Sequence, residues 1–237
     1  MTLRRVALGI LAGTALLAQS PGGKPRFDAE EVRNDIFSTL AFNVDALQGG
    51  ALQRGMMLCE QALAENPNFA EALVWRGVGE FVLAGTAFIA EQDQKKGAPY
   101  LKQGLEDLNR AVQLEPDNVA VRIPRGTVFM QTTRSMEKTN FFYKPFLENA
   151  RSDYQRAFDS HKDHLDTMGT HELGELLQGL GDLNSRQGKA ADAEQFYRLM
   201  QQKLPNTEYA KRAAAWLATK QPLQGEQTGC IGCHTSR

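Results

Sequence analysis

The chain has only three cysteines in 237 residues, which excludes a disulfide scaffold. It has no excess of either charge. Lys and Arg total 27 and Asp and Glu total 28, so the net charge is -1. That argues against a nucleic-acid binder working through bulk positive charge, and against a long acidic or basic tail. It has no apolar run of about 20 residues, which excludes a multi-span membrane protein. Nearly all of 28–219 lacks runs of β-branched residues and carries helical periodicity. What is present is ordinary for a globular chain: 42% hydrophobic and 23% charged residues. The length suffices for one large domain or two small ones with a real core.

The first twenty residues stand apart. Arg4 and Arg5 form a short positive region, and a 13-residue apolar run from Val6 to Ala18 follows. Ala18, Gln19 and Ser20 put small residues at cleavage spacing. This reads as a secretory signal peptide over 1–20, so the protein is expected to be exported, to the periplasm or beyond, with no membrane span after cleavage. A retained anchor is the alternative. Residues 21–35 read as a linker.

The rest of the chain is repetitive. A small residue is followed at +4 by a bulky one, at +7 by a small or apolar one, and at +12 by proline. Gly55, Cys59, Ala62 and Pro67 fit this spacing, as do Gly104, Leu108, Ala111 and Pro116. Ala193, Tyr197, Met200 and Pro205 fit too. Ala150, Tyr154 and Ala157 fit, with Lys162 in place of proline. The +4 and +7 positions share one helix face. The small residues let a neighbouring helix approach, and the proline ends the helix.

This pattern resembles the second helix of the tetratricopeptide repeat (TPR), a 34-residue helix-turn-helix. The family's first helix should carry Leu-Gly twelve residues before the small residue. Leu180-Gly181 matches. Gly77 and Gly126 are plausible equivalents, but Arg76 and Arg125 stand where leucine belongs. The aromatic three residues after the glycine is present only as Phe129, and the first unit lacks the glycine. The resemblance implies an all-α, TPR-like helical-hairpin solenoid over 36–219, with units at about 36–69, 70–118, 119–164 and 174–207. The stretch 208–219 reads as a capping helix, with Trp216 packed on the last repeat. Gly77 and Gly104 are 27 residues apart, and Gly126 and Ala150 are 24 apart, where twelve is usual. Two elongated hairpins are therefore expected to project from one edge. Their turns are expected at 94–99 and 139–145.

After a polar, Gly-containing linker from residue 220 comes Cys230-Ile231-Gly232-Cys233-His234. Cys-x-x-Cys-His is the c-type haem attachment signature. A thioredoxin-like pair, half a zinc site and a plain disulfide are the other readings of the two thiols. The motif resembles that of c-type cytochromes. The resemblance implies one covalent haem c, with Cys230 and Cys233 as thioether anchors and His234 as proximal iron ligand. Nothing downstream can supply a sixth ligand. Upstream stand His161, His164 and His171, and Met56, Met57, Met130, Met136, Met168 and Met200. His171 is the favoured distal ligand, because Glu172 and Glu175 follow it and could orient it. Met56, Met57 and Met200 read as core, and Cys59 as a buried, inert thiol. Residues 220–237 form the haem-binding tail, whose linker can span about 30 Å.

First helices line the concave groove of the TPR family. Arg122, Arg125 and Arg134 are expected on or near it, where they could bind a partner's carboxylates. Salt-bridged helix positions are the plainer alternative. Two readings follow. In the first, the repeats dock a partner protein, itself a redox protein, and the tail haem exchanges electrons with it. In the second, the repeats scaffold an exported complex and the haem or Cys-x-x-Cys is minor or structural. A haem enzyme or gas sensor with an open distal site is a third reading. No serine–histidine pattern, zinc-protease helix or phosphate loop is visible, so an electron-transfer or binding protein is expected rather than an enzyme.

Overall fold

The structure, a computed structural model, describes residues 50–224. The expected signal peptide and N-terminal linker, the start of the first unit and the Cys-x-x-Cys-His motif lie outside the described residues. Among the described residues the regular structure is entirely helical. The helices are α1 (Ala51–Glu65), α2 (Ala70–Gly85), α3 (Gln94–Leu114), α4 (Val119–Thr132), α5 (Tyr143–His161), α6 (Thr170–Arg186), α7 (Ala190–Lys203) and α8 (Glu208–Thr219). A π-turn, Thr86–Ala90, prolongs α2.

The helices pair as hairpins: α2 with α3, α4 with α5, and α6 with α7. The first helices also touch in succession, α2 to α4 and α4 to α6, and α8 covers α7. This is an all-α helical-hairpin solenoid. The stretch Ala70–Ala90 is long and apolar enough to cross a membrane by length and composition, but 56% of it is buried inside the stack.

The repeat spacing has a direct packing cause. All twelve small, bulky and small residues of the four second helices are buried. The bulky residue seats on the glycine of its partner helix. A Cβ on Gly77 would lie 2.8 Å from Leu108, one on Gly126 3.2 Å from Tyr154, and one on Gly181 2.8 Å from Tyr197. Pro67, Pro116 and Pro205 each follow the end of α1, α3 and α7 by two residues, as a residue that cannot continue a helix should. Trp216 stacks on Tyr197 at 4.6 Å, and its indole donates to Ser185 Oγ at 2.8 Å.

Both hairpin turns begin earlier than the sequence suggests. The first occupies 91–93, and 94–99 is already helix. Asp93 is the reason: its carboxylate accepts from Lys96 N at 3.0 Å, an N-cap strong enough to start the helix despite Pro99. In the second, α4 stops at Thr132 rather than continuing to 138. Thr132 and Thr133 turn their hydroxyls back onto the carbonyls of Val128 and Met130, both at 2.7 Å. Such bonds compete with helix continuation. Asn140 then closes the turn by accepting from Phe142 N at 2.9 Å. The second hairpin is thus lengthened on its second helix alone.

Two expectations follow from this packing. A side chain on Gly104 would meet Phe81 at 2.8 Å and the Gly77 carbonyl at 3.0 Å. Gly104→Val should therefore destabilise the fold by about 2–3 kcal/mol, read by chemical denaturation. Glu80 is half-buried, with Oε2 lacking a partner, and burial raises its carboxyl from 4.5 to about 7. A carboxyl raised in the folded state binds its proton more tightly there, so stability falls as pH climbs from 4.5 towards 7. Glu80→Gln should therefore be more stable than the parent at pH 8, with the gain vanishing near pH 4.5 in thermal melts at each pH.

Candidate functional site

The first helices carry buried charge. Arg125 grips Asp153 of α5 with two bonds, Nε to Oδ2 and Nη2 to Oδ1, both 2.7 Å. Arg122 Nη1 donates to the same Oδ1 at 2.7 Å, and its Nε to the Pro116 carbonyl. All three side chains are buried. In the preceding hairpin Arg76 holds Asp107 the same way, Nε at 2.6 Å and Nη2 at 2.8 Å. Arg76 and Arg125 are the residues standing where TPR leucine is expected. Their aspartates both lie three residues after the small residue of the second helix. Each arginine in the leucine position is thus matched by an acid on the facing helix. In the last hairpin the corresponding positions are apolar, Leu180 and Phe196. Arg122 and Arg125 are therefore committed to holding α4 against α5.

Arg134 is placed differently. It lies just past the end of α4, pairs with Asp182 of α6, and donates from Nη1 to the carbonyl of Leu223 at 3.3 Å. It joins three segments: the second hairpin's turn, the last hairpin and the chain leaving α8. Asp182 is fully buried and Arg134 mostly so. Burial pushes the Asp182 carboxyl up and holds the Arg134 guanidinium below its usual range, each opposing the other. Arg134 Nε and Asp182 Oδ1 are buried without hydrogen-bond partners.

Beside this pair opens a cleft of about 320 Å3. Arg134, Met136, Lys138, Tyr143 and Arg186 line one side, and the 222–224 segment the other. Arg186 reaches Thr133 Oγ1 at 3.1 Å and Tyr143 Oη at 3.5 Å. The chain arrives here because Lys220 adopts a left-handed φ of 56° at the end of α8, with its N–H bonded to the Trp216 carbonyl. Its ammonium lies 4.9 Å from the Trp216 ring centroid and pairs with Glu194 at 2.7 Å. Leu223 is buried against the last hairpin's core.

His171 stands in the first turn of α6, whereas Arg186 ends that helix, about 22 Å along the axis. The root of the tail and His171 thus lie at opposite ends of α6. His171 Nδ1 is 2.9 Å from Tyr209 Oη, which also donates to Glu175 Oε1 at 3.0 Å. Glu175 thus meets the histidine through Tyr209, and Glu172 caps the helix at Gly169 N. His161 Nδ1 lies 2.8 Å from Ser160 Oγ, and His164 is exposed in the following loop. Cys59 is buried, and its thiol is pushed up to about 12 by burial, so it is protonated and unreactive at neutral pH. Among the described residues no group of three or more His, Cys, Asp or Glu is arranged to hold a metal.

No family model and no curated protein matches the chain. Among solved structures it is similar to a thermophilic TPR protein of Thermus thermophilus. The identity is 20%, covering 79% of this chain and 99% of that one, with a TM-score of 0.39. The hairpin architecture described above rests on this chain's own helix pairing.

The ion pairs yield a test. Asp107→Ala leaves Arg76 without its carboxylate and should cost about 3 kcal/mol or more. Arg76→Leu combined with Asp107→Leu, which replaces the ion pair by an apolar one, should recover most of that loss. Urea denaturation of the two variants checks it.

Proposed function

We propose that this protein is an exported, monohaem c-type cytochrome-like repeat protein that docks a partner through its hairpin stack and exchanges electrons through its tail. Cys230 and Cys233 hold the haem by thioethers, and His234 gives the proximal imidazole. The bound haem supplies a one-electron redox centre. The observation that carries the reading is where the chain heading for the motif leaves the repeats. Leu223 is buried and its carbonyl is bonded to Arg134, so the tail begins at the hairpin-turn edge of the stack. Two exposed apolar residues stand on that same edge, Ile89 at 67% and Phe141 at 83% exposure. Ile89 lies in the π-turn that prolongs α2, just before the first hairpin turn, and Phe141 lies in the second turn. A partner resting there would meet the tail.

Expression with the leader, in a host able to mature c-type cytochromes, tests this. The exported protein should be coloured, show a reduced c-type spectrum, and keep its haem through denaturing electrophoresis. Cys230→Ala with Cys233→Ala should be colourless. A colourless parent overturns the electron-transfer reading and leaves an exported scaffold. His171→Ala should leave the haem spectrum unchanged, because His171 and the root of the tail lie at opposite ends of α6.

A further inference from the structure

The cleft at the root of the tail has an unbalanced charge. Arg134, Lys138 and Arg186 bring three cations to it, and Asp182 answers one. Arg134 is mostly removed from water, which holds its guanidinium below the usual range. Its buried Nε has no partner. Guanidinium and ammonium groups gathered at one partly dry cleft suit carboxylates, through charge-assisted hydrogen bonds. The volume, about 320 Å3, suits one edge of a large ligand better than the whole of it.

Chain length identifies the occupant. Gln224 lines the cleft, and Cys230 follows Leu223 by seven residues. That tether reaches at most about 25 Å. A haem carried on Cys230 and Cys233 therefore has this cleft within its reach. It bears two propionate carboxylates on one edge. We infer that the cleft formed by Arg134, Lys138, Arg186 and Tyr143 is the seat of that edge, and that Leu223 is the latch directing the tail to it. The inference rests on the haem reading above. Its own content is the seat, and Arg186 and Lys138 are its positioning residues.

A cation beside the haem favours the reduced form, because oxidation adds positive charge. Removing one should shift the ferrous-to-ferric ratio at fixed potential. A unit charge about 8 Å away, in a medium between protein and water, corresponds to roughly three- to tenfold. The measurement is a spectroelectrochemical titration of the full-length holoprotein as parent, Lys138→Gln, and Lys138→Gln with Arg186→Gln. Each step should lower the ratio by about that factor. Lys138 is exposed, so its variant should melt at the parental temperature. In a Leu223→Asp background, which frees the tail, the Lys138→Gln shift should shrink to nothing while the helical content is retained. A coloured protein whose ratio ignores Lys138 and Arg186 overturns the seat alone. So does a Lys138 shift that persists at full size in Leu223→Asp. A colourless protein removes the haem reading itself.

Discussion

The bidentate grip of arginine on aspartate across each of the first two complete hairpins is the constraint on which the stack depends. Asp153 is fully buried and answers two guanidiniums, and Asp107 is nearly buried beneath Arg76. Desolvating these charges is costly, so each pair contributes only when both partners and their geometry are intact. The geometry comes from the glycines. With Gly77 and Gly104 at the α2–α3 crossing, each backbone approaches the other closely, and the arginine fork meets the carboxylate squarely. Glycine and ion pair therefore form one device. Close approach aligns the pair, and the pair fixes the rotation of one helix against the other more narrowly than leucine packing would.

The same use of small residues positions the tail. Tyr154 of α5 fits between Gly126 of α4 and Gly179 of α6, where an added Cβ would come within 3.2 and 2.4 Å of the ring. One side chain thereby locks successive hairpins. This brings the end of α4 to α6 and lets Arg134 reach Asp182. Trp216 fixes α8 on the last hairpin, and the turn at Lys220 sends the chain back across it. Three segments far apart in sequence meet at Arg134 because each hairpin is indexed on the one before.

The second helices were legible in the sequence because close packing demands small residues at fixed spacing, and that demand leaves a period. The first helices were harder to read. Arg76 and Arg125 look like surface residues until Asp107 and Asp153 are seen opposite them, though the shared offset of the two acids was present as a signal. The turns begin earlier than the proline and aromatic residues suggest, because Asp93, Thr132 and Thr133 decide their starts through side-chain bonds to backbone. Arg122, Arg125 and Arg134 share an expected place on the groove because first helices line it in the TPR family, yet two serve the hairpin interior and one the cleft. The cleft left no local pattern, since its Arg134–Leu223 contact spans 89 residues.

The latch at Leu223 acts through direction more than through tether length. Fixing the chain at Leu223 rather than at Lys220, the cap of α8, shortens the step to Cys230 from ten residues to seven. Loop-closure entropy changes with the logarithm of length, so that shortening is worth only about 0.3 kcal/mol to any docking of the tail. Such a gain is small beside one charge-assisted hydrogen bond, roughly 1.5–3 kcal/mol. What the latch changes is the edge from which the tail sets out. Without it the segment would leave α8 free to lie along any side of the last hairpin. With it, the chain leaves from beside Arg134, Lys138 and Arg186, on the edge that also bears Ile89 and Phe141. A partner resting on the hairpin turns would then lie within reach of whatever the tail carries.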